Sequence, residues 1–253
     1  MESKKITLRD FKYSILWIFI HSLLWYRMNI NLKTLSPKNH FLKKHQREIL
    51  IGFCALLILL VRFIFPANLS GEVFWMVLTL FFIFPFLVVR FVLKENSKDF
   101  GMKFGNIRNG ILFAAILFFI LAAASYFIVS KGAWRNQLLL PSGIARSFWY
   151  FLWFELLIAL PIHFFWEFFF RGFVQLGLEK KLGIFSLFLQ GLLQTLLAVR
   201  SPRPMIFLVL ASSLLAGFVV YKSRSIYYSA AAMWLVSLGL DIILIRYINF
   251  GGL

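Results

Sequence analysis

Cysteine is almost missing from this chain: the one present, Cys54, lies inside an apolar run, which excludes a disulfide framework and a thiolate metal site. Acidic residues are few, 10 Asp and Glu against 27 Lys and Arg, and histidine is limited to His21, His40, His45 and His163. No stretch alternates apolar and polar residues over about ten positions between turn signals, so the pattern of a membrane β-barrel is absent. Apolar side chains take the place of what is missing. Of 253 residues, 61% are hydrophobic and 19% aromatic, with a mean hydropathy of +0.82. This exceeds the apolar share of an ordinary soluble domain and excludes a water-soluble globule. Only helices and closed barrels satisfy their backbone polar groups in lipid, so the expected fold is an all-α polytopic transmembrane bundle.

The net charge of +17 raises nucleic acid as a partner. The basic residues, however, sit in loops between apolar runs, and no basic helix is interleaved with base-stacking aromatics. That distribution follows the positive-inside rule and suits anionic membrane lipids, which are the expected partners.

Along the chain, Met1–Lys12 is charged, and Tyr13–Tyr26 is an apolar, aromatic stretch too short to span. It reads as an N-terminal interfacial helix, retained because no small-residue cleavage site follows it. Asn29–Glu48 is basic, with Lys33, Lys38, Lys43, Lys44 and Arg47, and is assigned to the cytoplasmic side. Seven spans are expected: Ile49–Pro66, Val73–Leu93, Ile111–Ser130, Phe148–Phe170, Leu182–Val199, Met205–Tyr221 and Ile226–Ile245. Ala67–Glu72 carries no base, whereas Lys94–Arg108 carries four, so the first loop faces out and the second faces the cytoplasm. Lys131, Arg135, Arg146, Arg200 and Arg203 then place positive charge on loops expected outside. The organisation is a basic region at 1–48, two transmembrane helices at 49–93, and a larger transmembrane region at 98–253.

Ionisable groups within a membrane helix cost roughly 2.5 to 3.5 kcal/mol each at the helix centre, so each needs a reason. Arg62 and Arg90 lie near span ends and can snorkel to the interface. The run PIHFFWEFFFRGF, Pro161–Phe173, is the most informative, since His163, Glu167 and Arg171 recur at i, i+4 and project from one helix face. A carboxylate beside a guanidinium can act as a tuned general base or as a structural pair locking helices together. Glu155, twelve residues before Glu167, is expected to face a different crevice, and a kink is expected at Pro161. Gln190 and Gln194 fit interhelical hydrogen bonding or a cavity lining. The aromatic block Phe164–Phe170 fits packing and lipid contact.

Trp166–Gly172, W-E-F-F-F-R-G, resembles the glutamate motif of the CPBP family (CAAX protease and bacteriocin-processing) of intramembrane endopeptidases, in the subset where tryptophan replaces the first glutamate. KDFGMKFGNIRNGILFAAIL from Lys98, GFVQLGLEKKLG after the motif, and KSRSIYYSAAAMWLVSLGLD from Lys222 resemble the family's flanking segments, so the likeness covers about 150 residues, from Lys98 onward. It implies a CPBP-type helix bundle in which Glu167 activates water, Arg171 is the motif arginine, and Asp241 matches the acid of the last motif. The two histidines of that catalytic set would fall on Ala198 and Met233, and no histidine follows Glu167. Neither replacement can polarise a carbonyl or move a proton. Three readings remain open. The chain is a pseudoprotease that binds a transmembrane or lipidated peptide, or an active peptidase using Glu167 with His163, or a transporter or assembly factor in which Glu155, Glu167 and Asp241 carry protons or cations. No cofactor or metal is expected. The expected location is the inner (cytoplasmic) membrane of a bacterium.

Overall fold

The computed structural model describes residues 40–65, 70–130, 144, 147–199, 201 and 203–250. The interfacial helix expected over Tyr13–Tyr26 and the loop bases Lys131, Arg135, Arg146 and Arg200 lie outside them. The chain divides into two compact units, Met1–Gln46 and Arg47–Leu253; the architecture below is that of the second, which joins the helices at 49–93 to the region 98–253. Every regular element among the described residues is helical: α1 (His40–Ile64), α2 (70–92), a short 3₁₀ turn (Ser97–Phe100), α3 (Ile107–Ser130), α4 (Phe148–Leu182), α5 (Phe185–Leu197), α6 (Arg203–Ser223) and α7 (Tyr227–Phe250).

Five helices are long and apolar enough to cross a membrane, within α2, α3, α4, α6 and α7. Their outward faces carry large apolar side chains, Phe119 at 68% and Phe207 at 71% exposure among them. Lipid suits such a surface and water does not. The first and fifth expected spans are shorter. In α1 the apolar run between Glu48 and Arg62 is interrupted at both ends by charge. Helix α5 has 13 residues, about 20 Å at 1.5 Å per residue, because Gly183 (φ +54°) ends α4 late and a turn at Ala198 ends α5 early.

Helices α2 and α4 each contain two π-helical stretches, Leu78–Ile83 and Val88–Val92 in α2, Glu155–Ala159 and Phe168–Leu176 in α4. One stretch in each helix lies just before a proline. Pro85 and Pro161 lack an N–H and crowd the preceding turn. The chain widens upstream, Phe84 N–H donating to Thr79 O and Leu160 N–H to Glu155 O, and helix continues past each proline. This wide turn lies one step before Pro161, where a kink was expected.

In lipid there is no hydrophobic drive for helices to meet, so close packing and polar contacts must hold them. Helices α3, α6 and α7 meet through Leu117, Leu121, Ala216, Val219, Ala232 and Val236. Helices α2 and α4 meet through rings: Phe81 stacks on Phe169 at 4.7 Å and meets Trp166 edge-on at 4.9 Å, and Phe82 lies 4.9 Å from Phe165. The aromatic block read from the sequence is therefore helix-packing material.

One end of the bundle is sewn together by loops. Asn106 N–H donates to Ser223 O at 2.7 Å and Ile226 N–H to Gly101 O at 3.1 Å. Gly105 makes this approach possible: it adopts φ +54°, and a Cβ there would stand 2.0 Å from Ser223 O. Arg47 holds Glu95 through Nε at 2.6 Å and through a second nitrogen at 3.0 Å, and also donates to Gly177 O. Arg224 pairs with Glu179 at the same end.

Candidate functional site

At α4 the i, i+4 spacing does what helix geometry requires of it. Glu167 and Arg171, 1% and 0% exposed, form an ion pair at 3.0 Å between Oε1 and a guanidinium nitrogen. Glu167 closes the α-helical turn before the second π stretch, and Arg171 lies within that stretch. Gly172 follows, and Phe100 O would lie 2.6 Å from a Cβ at that position, so the 3₁₀ turn packs directly on the α4 backbone beside the pair.

The polar seam continues from the pair across three helices. Arg171 donates to Ser213 O of α6 over a long 3.5 Å. Gln175, one turn on, donates to Gly217 O at 2.8 Å, and Gln190 of α5 donates to Ser213 O at 3.0 Å. The Ser213 hydroxyl lies 3.2 Å from Gln190 Oε1 and 2.9 Å from Gln194 Oε1. Gln190 and Gln194 thus make interhelical hydrogen bonds. From α7, Ser229 stands beside the Glu167 carboxylate and donates its proton to Ile226 O at 3.0 Å. Among the described residues, Glu167 Oε2, Arg171 Nε and Gln175 Oε1 are buried without a hydrogen-bond partner. The seam therefore holds one carboxylate oxygen committed to a cation and one uncommitted, surrounded by amides and serine hydroxyls.

The structure separates the four residues expected at one site. Glu167 and Arg171 are joined. His163, one turn earlier, is partly buried and makes no hydrogen bond or ion pair among the described residues. Asp241 is not part of the seam: it lies on the side of Glu155, which accepts from Trp234 Nε1 at 3.0 Å. The reason is axial distance. Glu155 precedes Glu167 by twelve residues, about 18 Å of helix, and Asp241 lies similarly far along α7 from Ser229. Glu155 and Asp241 thus lie away from the Glu167–Arg171 pair.

Ala198 lies in the turn that ends α5, and Met233 packs on the apolar cluster of α3, α6 and α7. The α5 residues hydrogen-bonded into the seam are Gln190 and Gln194, the latter one turn before Ala198. Arg90 is exposed in the last turn of α2, as snorkelling requires. Sequence reasoning missed Gln175, Ser213, Ser229 and Trp234. Two had a signal: Gln175 continues the i, i+4 series from Arg171, and Ser213 with Gly217 forms the small-xxx-small pattern of close helix contacts.

No three His, Cys, Asp or Glu side chains converge among the described residues. The Arg171 guanidinium at 3.0 Å also opposes a cation at Glu167. Compared with known protein families, with curated proteins and with solved structures, the chain matches none.

Proposed function

We propose that this chain is a CPBP-type intramembrane endopeptidase homologue that has kept the glutamate–arginine pair and lost its hydrolytic partners, and that it binds a transmembrane or lipidated peptide without cleaving it. The observation that carries this reading is the composition of the seam. Glu167 has Arg171, Ser229 and a set of glutamines near it, but His163, the single histidine of the Arg47–Leu253 unit, is not bonded to it. Hydrolysis by Glu167 needs a second group to polarise the carbonyl or protonate the leaving amine. Glutamine and serine hold peptide groups well through hydrogen bonds, and neither is an acid strong enough for that task.

In this reading the chain sits in the inner membrane of a bacterium, with the loop-sewn end on the cytoplasmic side, where Lys94, Lys98, Lys103, Lys180, Lys181 and Arg224 gather. Seven segments enter the membrane, α1 and the short α5 completing the five long helices.

The test is incubation of purified protein in nanodiscs with a panel of transmembrane and lipidated peptides, alongside Glu167→Gln. The expected result is peptide retention without cleavage by either protein. Cleavage by wild type that disappears in Glu167→Gln would overturn the proposal and make Glu167 a working base.

A further inference from the structure

Phe100 is wholly buried at the end of the Ser97–Phe100 turn, where the turn meets three helices. From α1, the Arg47 guanidinium lies over the Phe100 ring at 5.8 Å while it holds Glu95 on the same loop. On α4, Phe173 stacks beside the ring at 6.4 Å, and a Cβ at Gly177 would stand 3.3 Å from the ring edge and 3.2 Å from Ile51 of α1. Gly101 comes next in the chain with φ +84°, and its carbonyl accepts from Ile226 N–H, just before α7, at 3.1 Å.

These contacts converge on the part of α4 that carries Arg171. The second π stretch runs over Phe168–Leu176, and Gly177 N–H closes it by donating back to Gly172 O. Both of those glycines are gripped from outside α4. Phe100 O would lie 2.6 Å from a Cβ at Gly172, and Gly177 O accepts from Arg47. A π turn is a rare departure from the α-helical ladder. Its relaxation to α-helical register would rotate the residues after Phe168 about the axis, turning Arg171 relative to Glu167, which precedes the stretch. The contact of Arg171 with Ser213 O, at 3.5 Å, is too long to hold it in place alone. The turn also reaches the other side of the pair, since Ser229, beside Glu167, donates to Ile226 O at 3.0 Å.

We propose that Phe100, locked by Arg47, is a positioning residue for the Glu167–Arg171 pair, so that the seam is governed from the start of α1. With Arg47 seated on the ring and on Gly177 O, the π stretch and the pair hold; with Arg47 withdrawn, the stretch relaxes and the pair loosens. Packed contacts carry the effect, through one turn and two glycines. The device concerns what holds the seam and stands whether or not the seam binds a peptide.

The full chain in nanodiscs, labelled with isotopic arginine for nuclear magnetic resonance, tests this. The Arg171 Nε–H resonance, identified by its loss in Glu167→Gln combined with Arg171→Leu, should move in Arg47→Gln and in Phe100→Leu. Hydrogen exchange across Phe168–Leu176 should rise about tenfold or more in both variants, while Leu117 and Leu121 of α3 stay as slow as in wild type. Phe100→Leu leaves the Arg47–Glu95 ion pair in place and decides the matter if Arg47→Gln folds poorly. An Arg171 resonance unmoved in Phe100→Leu would overturn the proposal and leave the clasp a local staple. Exchange raised equally in α3 would overturn it too, because that reports a loss of global stability.

Discussion

Arg171 is the bulkiest of the fully buried side chains, and its charge is answered by Glu167. A buried ion pair is weak evidence of net stabilisation, since desolvation offsets the attraction, but removing one partner strands the other. Arg171→Ala is therefore expected to destabilise the protein by about 3–5 kcal/mol. Glu167→Gln combined with Arg171→Leu should recover most of that loss, as replacement of a buried pair by neutral groups often does. Unfolding in mixed detergent micelles, run as a double-mutant cycle, measures both. A cycle with no coupling would mean that the two groups do not sense each other. Trp166 illustrates a different economy at the residue scale: where the resembled motif has its first glutamate, this chain places a ring that packs against Phe81.

Among the elements, α4 carries the most information. Its 35 residues amount to about 52 Å, well beyond the roughly 30 Å hydrocarbon thickness, so its last turns lie among the loops of the sewn end. There Gly177 O and Glu95 both accept from Arg47, which fastens the start of α1 to the end of α4 and to the loop after α2. The hydrogen bonds from Arg47 hold the Glu95 carboxyl below its ordinary value of 4.5, outweighing the opposing effect of partial burial. A depressed carboxyl adds stability that is full above the unfolded value and is lost as pH falls through the folded one. Acidification from about pH 6 to below pH 4 should therefore loosen this clasp. Hydrogen exchange at Ser97–Phe100 and at the first turns of α1 should speed up in wild type, while Glu95→Gln should already be fast and show less change. Equal acceleration in both would place the acid sensitivity elsewhere.

At the scale of the whole molecule, the number of crossings rests on α5. Its 13 residues reach only about 20 Å, yet α6, a full-length span, ends in a loop hydrogen-bonded to Asn106, which puts its start and Ser201 at the opposite end of the bundle. The proposed seven-span arrangement therefore requires α5 to connect the two ends, with local thinning of the bilayer absorbing the mismatch. In a Cys54→Ala background, Lys98→Cys and Ser201→Cys should react with a membrane-impermeant maleimide from opposite sides. Labelling from one side only would mean that α5 re-enters and does not cross.

The apolar runs and their charged borders determined by themselves that this is a helical membrane protein, because lipid leaves a chain of this composition no other way to satisfy its backbone. They determined the Glu167–Arg171 pair too, since an i, i+4 contact depends only on the pitch of one helix. The lengths of α1 and α5 were less legible, being set by a few charges and by turns at Gly183 and Ala198 that blend into apolar surroundings. The partner of Glu155 was beyond the sequence altogether. Trp234 and Glu155 are 79 residues apart, and the facing of α7 toward α4 is the outcome of packing against α3 and α6 as well. Only the tertiary structure decides such a pairing, because in lipid the rotation and depth of one helix against another follow from the fit of every neighbour and not from the periodicity of either helix alone.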